Sequence, residues 1–199
     1  MKLKNDLPGM TVHLLLGIVM GILAKYLDTL PVGGSRWNDI LHYAGNVMTR
    51  PAIWVFFAVI IAVLSKTAFK AAIHTLMFFA GMLISYYLYS AELFGFFPMG
   101  YFLFWGAAAL GMPLLAAIAW FGRHHSRLAG VLPALPLGLV LSLSIGVGYF
   151  YVDLLYIDEF IMYILLCAVF YRSPKQLALA AGLSVAAAVL LSFFMPIHF

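Results

Sequence analysis

Ionisable side chains are rare inside the apolar stretches of this chain, and two histidines are the clearest examples. His13 and His74 each lie a turn or two into a long apolar run. An ionisable group in lipid is costly, so such residues are functional candidates. Because imidazole titrates near neutral pH, both residues are predicted to be proton-linked. The alternative is a neutral ring bonded to a backbone carbonyl or a hydroxyl.

A second group of charges is predicted to gather at the other side of the membrane, where it can hold a ligand. The candidate ligand-binding charges are Lys25, Glu92, Asp153, Asp158 and Glu159. An unpaired lysine near lipid is unfavourable, so Lys25 is expected to pair with Asp28, with Glu92 or with an acid of 153–159. The carboxylates can attract a cation, and together with Lys25 they can hold a zwitterion or an anion. The alternative is a set of solvated loop charges.

Three prolines predict interruptions in neighbouring apolar helices. Pro113 lies in the middle of one run, and Pro133 and Pro136 lie near the start of the next. Proline removes a helix hydrogen bond, and freed carbonyls at membrane depth are tolerated where they line a cavity. We therefore expect helix kinks that frame a solute site lined by Trp105 and Ser142, with Ser144 nearby. Purely structural kinks in a packed bundle are the competing interpretation.

The motifs of common enzymes and metal sites do not occur in the sequence. The chain has no GxSxG, GxxxxGK[ST], GxGxxG or HExxH pattern. Neighbouring His124 and His125 would point to different helix faces, and Cys167 is the single cysteine. We therefore predict neither a metal site nor a cofactor, and we do not expect a catalytic role. The net charge of +4 is interpreted as basic membrane turns and not as a nucleic-acid surface.

The composition predicts an integral membrane protein. Hydrophobic residues make up 65% of the chain and charged residues only 9%, against roughly a quarter charged in soluble proteins. Seven apolar segments fit an all-α bundle in one transmembrane domain over 1–199. The predicted spans are 7–27, 51–65, 68–89, 99–121, 128–149, 154–170 and 176–195. The 51–65 segment is short, so six spans is the alternative. Residues 36–48 predict a short amphipathic helix at the outer surface.

The distribution of charge predicts the orientation. Eight basic residues fall on the side of the N-terminus: Lys2, Lys4, Lys66, Lys70, Arg123, Arg127, Arg172 and Lys175. Six of the seven acidic residues fall on the opposite side, and Asp6 is the exception. By the positive-inside rule the N-terminus is inside and the C-terminus outside. A bacterial inner membrane is the predicted location.

Small residues at spacing four predict close helix packing. Gly17 and Gly21 form one pair, and Ala178, Gly182 and Ala186 form a stripe. Such faces can bind a membrane-protein partner or a second copy of the chain. The basic turns at 65–72 and 173–180 also resemble each other, which predicts an internal hairpin repeat.

These patterns favour a transporter or a membrane-embedded protein that binds a small ligand. A non-catalytic membrane subunit that docks a partner is the second hypothesis, and a lipid-modifying membrane enzyme is the third. The bilayer and a small solute are the expected partners, with no nucleic acid.

Overall fold

The computed structural model describes residues 6–31, 33–147 and 151–194. About 81% of the chain is helical. The helices are α1 (Leu7–Asp28), α2 (Arg36–Thr49), α3 (Pro51–Leu64), α4 (Ala68–Phe94), α5 (Met99–His124), α6 (Ala134–Ser144), α7 (Ile157–Phe170) and α8 (Pro174–Phe194). A short antiparallel hairpin of β1 (Ile145–Val147) and β2 (Val152–Leu154) joins α6 to α7.

Among the residues that the structure describes, four helices are long and apolar enough to cross a membrane: α1, α4, α5 and α8. The pair α2 and α3 makes a fifth candidate if the two helices, which are bent by 71° at Arg50, count as one broken span. A crossing needs about 20 mostly apolar residues, and these helices satisfy that requirement. The fold is therefore that of an α-helical integral membrane protein with four or five apolar spans.

The structure departs from the predicted span at 128–149. Helix α6 begins only at Ala134, and its C-terminal end gives way to the hairpin at Ile145. Pro133 is the N-cap of α6 and Pro136 lies in its first turn, where backbone N–H groups need no helical partner. The expectation that Pro133 and Pro136 kink a helix is therefore wrong, because they start one.

Helices α1 and α4 pack in parallel with their backbones almost in contact. A Cβ atom added at Gly17 would lie 2.0 Å from the carbonyl oxygen of Phe78, and one at Gly21 would lie 2.3 Å from that of Met82. Gly81 of α4 approaches α1 in return, 2.4 Å from the Leu14 carbonyl. Only glycine permits this approach. The predicted Gly17/Gly21 face is thus covered by α4 of the same chain.

Helices α6 and α8 repeat this parallel arrangement. A Cβ atom at Gly138 would lie 2.7 Å from the Ala187 Cβ and 3.0 Å from the Ser184 carbonyl. Gly130, in the turn before α6, approaches Leu179. Gly130 and Gly138 are eight residues apart, as are Gly9 and Gly17 on the first pair. In both helix pairs, two glycines eight residues apart therefore approach the neighbouring helix, which is α4 in the first pair and α8 in the second.

The helix that precedes α4 also resembles the helix that precedes α8. Both α3 and α7 have 14 residues, and a three-residue turn leads from each into the next helix. In each turn the third residue, Thr67 or Ser173, accepts a hydrogen bond from the N–H three residues later. Equivalent positions lie 106 residues apart in these helices. The chain thus contains two similar three-helix units, the N-terminal bundle (α1, α3, α4) and the C-terminal bundle (α6, α7, α8).

The two bundles share an apolar core in which α3 packs against α6 and α7, and a polar contact lies where α3 and α7 begin. Arg50 precedes α3 and Tyr156 precedes α7, and these equivalent residues touch, with the guanidinium carbon 4.0 Å from the ring centroid. Contact between equivalent residues is what a two-fold relation produces. Helix α5 joins the bundles at their other end. The Trp120 Nε1 donates to the Ser65 carbonyl at 2.9 Å, and Arg172 donates to the Arg123 carbonyl.

Substituting Gly17 with alanine should destabilise the protein by about 1–3 kcal/mol or more, because the new methyl group would overlap the α4 backbone. The matched control is Gly106→Ala on α5, where an added Cβ meets nothing within 4 Å. That change should be neutral or stabilise by about 0.5–1 kcal/mol through helix propensity. Unfolding of the purified proteins in a denaturing-detergent titration measures both. Equal effects of the two substitutions would contradict the close packing.

Candidate functional site

An apolar groove with a volume of about 120 Å³ opens between α3, α4 and α5, beside the end of α2. Its walls consist almost entirely of aromatic, methionine and small apolar side chains. The lining residues are Met48, Thr49, Pro51, Trp54, Phe79, Met82, Leu83, Tyr86, Tyr87, Trp105, Ala108, Ala109 and Met112. A concave surface of this composition suits a small apolar or aromatic ligand.

Two tryptophans on different helices lie in the groove walls. The Trp54 Nε1 donates to the Met48 carbonyl at 2.9 Å, which fixes the indole of α3 against the end of α2. Trp105 is half-buried on α5. Indole faces carry negative charge density and attract both aromatic edges and cations. Methionine side chains such as Met82 adapt to different ligand shapes. The groove therefore offers stacking and dispersion and few hydrogen bonds.

Beside one rim of the groove, an ion pair in the last turn of α1 contacts the end of α4. Lys25 is 5% exposed, and its Nζ lies 2.8 Å from the Asp28 Oδ2. The Tyr86 hydroxyl donates to the same carboxylate at 3.3 Å. The Lys25 Nζ also lies 4.8 Å from the centroid of the Phe94 ring. Of the partners that the sequence allowed for Lys25, the structure selects Asp28, so this cation stabilises the rim.

A second charged cluster lies next to the groove, where the two bundles meet. Arg50 lies between Thr49 and Pro51, both of which line the groove, and its Nη2 donates to Asp158. The Arg50 Nη1 lies 3.5 Å from the Glu159 Oε1. Asp158 and Glu159 were predicted as site residues, whereas Arg50 was not. One signal for Arg50 existed, namely a basic residue on the acidic side directly before an apolar helix.

The other predicted ligand-binding residues do not join this site. Glu92 and Asp153 are exposed, the latter on β2 opposite Gly146. Ser142 donates to the Leu139 carbonyl within α6 at 2.8 Å, and buried Ser144 donates to the Leu141 carbonyl in the same way. Among the predicted polar or aromatic lining residues, Trp105 lies on the groove.

Pro113 lies inside α5, one residue after Met112 of the groove wall. Of the three prolines that were predicted to frame a solute site, Pro113 therefore lies beside the groove. Its ring removes a backbone N–H from the helix at this depth.

The two predicted proton-linked histidines are in direct contact at the opposite end of the bundle. The His13 and His74 rings stack with centroids 4.3 Å apart. The His13 Nδ1 donates to the Gly9 carbonyl at 2.7 Å, so Nδ1 carries the proton. The His74 Nε2 lies 3.1 Å from the Asp6 Oδ2, and Lys70 donates to the other oxygen of Asp6. This cluster joins the start of α1 to the start of α4.

The second predicted small-residue face remains open. Ala178, Gly182 and Ala186 are exposed on α8, and a Cβ atom at Gly182 would meet nothing within 4 Å. No group of three or more metal-binding side chains occurs among the described residues. Comparison of the chain with protein-family models, with curated proteins and with solved structures finds no match.

The Asp6 contact should make stability depend on pH. The hydrogen bond from Lys70, together with the charge of His74, holds the pKa of the Asp6 carboxyl below its usual value of about 3.9. A lowered pKa means that the ionised form stabilises the fold above the unfolded-state pKa, and this contribution is lost as pH falls through the folded-state pKa. Wild type should therefore exceed Asp6→Asn in thermal stability at pH 6, and the gap should close in stronger acid.

Thermal unfolding of both proteins in detergent across this pH range measures the gap. The control is Asp39→Asn, which removes an exposed carboxylate of α2. It should show no such pH-dependent difference from wild type. A constant difference between wild type and Asp6→Asn at every pH would contradict the ion pair.

Proposed function

We propose that the protein is a transporter, or a membrane-embedded binding protein, for a small and largely apolar solute that binds in the groove between Trp54 and Trp105. The observation that carries the proposal is the groove itself, with two indoles, two phenols and three methionines converging from separate helices. Ligand sites in membrane bundles commonly form between helices from such side chains. A solute with an aromatic ring or a delocalised cation fits these walls best.

The repeated architecture supports transport over simple binding. Transporters are commonly built from two similar units, and alternating access arises when one unit moves against the other. Here α3 of the N-terminal bundle forms both a wall of the groove and the contact with α7. A change at that contact would therefore alter one wall of the groove. Thr49 and Pro51 line the groove and are the chain neighbours of Arg50, so the groove and the contact between the bundles are directly connected.

Seven crossings in a bacterial inner membrane, with the N-terminus inside, complete the proposal. The short helices α3, α6 and α7 would cross together with the segments next to them, namely α2, the turn before Ala134 and the hairpin. Contacts at one end of the bundle join the basic residues Lys70, Arg123 and Arg172 to neighbouring helices. Asp28, Asp158 and Glu159 lie at the other end. By the positive-inside rule, the basic end would face the cytoplasm.

A partner-docking role has one specific observation in its favour. The stripe of Ala178, Gly182 and Ala186 is open on α8, and such a face permits close approach of another helix. In that case Gly182→Leu would disrupt a complex in the membrane while leaving solute binding unchanged.

The groove is tested by solute binding to purified protein. A thermal-shift screen of aromatic, cationic and apolar metabolites should give at least one class that stabilises the protein, by about 2.7 kcal/mol at a hundredfold excess over Kd. Trp105→Ala should weaken that binding at least about tenfold, because stacking area is lost. The control Trp37→Ala removes an indole that is 65% exposed on α2, and it should leave Kd unchanged.

Uptake of the identified solute into proteoliposomes then separates the two forms of the proposal. Counterflow across the bilayer would establish transport. Binding without flux would instead indicate that the protein is a receptor or a subunit of a carrier. If no solute class stabilises a well-folded sample, or if Trp105→Ala and Trp37→Ala behave alike, the groove is not the ligand site.

A further inference from the structure

The contact between the two bundles contains a carboxyl group that is buried and incompletely paired. Glu159 is 2% exposed and Arg50 is 8% exposed. The Glu159 Oε1 lies 3.5 Å from the Arg50 Nη1, which makes an ion pair without a hydrogen bond. The Glu159 Oε2 and the Arg50 Nη1 have no hydrogen-bond partner among the described residues. A buried charge in this state is expensive unless a further partner neutralises it.

The charges around this contact do not balance when every acid is ionised. Asp158 and Glu159 face one guanidinium, which leaves an excess of one negative charge. The other groups that face the cluster supply no positive charge, namely the phenol of Tyr43 from α2 beside Asp158 and the ring of Tyr156 against Arg50. A single proton on one carboxylate removes the excess.

The geometry indicates which carboxylate takes the proton. Asp158 accepts the direct hydrogen bond from the Arg50 Nη2, and its side chain is 17% exposed, so both the guanidinium and water stabilise its charge. Glu159 has neither advantage, since its side chain is 2% exposed and its longer contact is not a hydrogen bond. Burial disfavours the charged form of an acid.

We propose that Glu159 is a proton-binding site on the contact between the two bundles. When its carboxylate takes a proton from water it becomes a neutral acid, and its attraction to Arg50 is lost while the Asp158 contact remains. Because Arg50 precedes α3 and Glu159 lies in the first turn of α7, proton binding weakens the charged part of the contact between the bundles, whose apolar part is the packing of α3 on α6 and α7. This inference names the proton as the coupling ion. A coupling role for Glu159 rests on the proposed transport function.

Proton binding can be observed at this residue alone, because the chain contains two glutamates, Glu92 and Glu159. Protein with the Glu92→Gln substitution is produced with ¹³C-labelled glutamate and reconstituted in lipid without any solute. Infrared spectra are then recorded across a pH titration. The shifted carbonyl band of a protonated acid should persist well above the ordinary glutamate pKa of about 4.3 and disappear as pH rises further. A band already lost at that ordinary value would overturn the proposal.

The role of the neighbouring acid is tested in the same labelled background. Asp158→Asn removes the second negative charge beside Arg50, so Glu159 becomes the sole acid facing the guanidinium. Its labelled band should then disappear at lower pH than in the parent protein. An unchanged titration would contradict the charge balance described above. This arm does not require Glu159 itself to be substituted, so it does not depend on a variant that fails to fold.

Flux measurements distinguish failure of this inference from failure of the proposed function. With the solute identified by binding, uptake by wild-type proteoliposomes should respond to a pH gradient, and Glu159→Gln should abolish that response while solute exchange at equal pH persists. Asp39→Asn, an exposed acid on α2, serves as the control and should behave as wild type. Flux that ignores the gradient in wild type would overturn proton coupling and leave transport standing. A titrating Glu159 in a protein that moves no solute would overturn transport alone.

Discussion

A guanidinium buried between two carboxylates is the constraint on which the arrangement of the two bundles depends. Arg50 and Glu159 are almost fully removed from solvent, and charges in such a place must be paired. Arg50 therefore has to stay beside Asp158 and Glu159, although 108 residues separate it from Asp158. Because Arg50 precedes α3 and the acids open α7, this pairing fixes the two short helices at a common level. The aromatic ring of Tyr156 covers the remaining face of the guanidinium.

Packing within each bundle is of a different kind. Hydrophobic burial does not hold helices together in lipid, so close backbone contact must provide most of the attraction. Gly17, Gly21 and Gly138 permit that contact, with backbone atoms nearly touching across α1–α4 and a similar approach across α6–α8. Each bundle is thus held by many short-range contacts that depend on exact shape. The link at Arg50 is instead made of charges whose strength changes with protonation. The bundles also share an apolar contact of α3 with α6 and α7, so protonation beside Arg50 changes the charged part of a larger interface.

The sequence predicted the class of protein because membrane physics acts on composition. Long apolar runs, basic turns and the amphipathic segment near residue 36 follow directly from the cost of polar groups in lipid. The pairing of Lys25 was predicted only as a choice, and Asp28 is favoured by being one helical turn away. The stacked histidines are each recognisable as rare polar groups, but their contact joins two helices and leaves no trace in either segment.

What the sequence could not supply are the contacts between distant segments. The glycine pair at 17 and 21 and the stripe at 178, 182 and 186 have the same spacing, yet the first is covered and the second is open. Arg50 looked like an ordinary loop cation because its partners come much later in the chain. Trp54 and Trp105 face one groove from different helices, and no local pattern relates them. The strand-forming residues around Gly146 were hidden inside a continuous apolar run that also fits a helix.

If protonation at the contact between the bundles drives transport, the bundles must move relative to each other, and distances between spin labels measure that motion. In a Cys167→Ser background, labels are placed by Glu92→Cys on the N-terminal bundle and by Asp153→Cys on the hairpin that joins α6 to α7 of the C-terminal bundle, and both positions are exposed. A second pair at Thr29→Cys and Glu92→Cys lies within the N-terminal bundle and serves as the control. In lipid, the distance between bundles should shift between high and low pH while the control distance stays constant. Constant distances for both pairs under all conditions would show that the bundles form a single rigid body and would exclude movement of one bundle against the other.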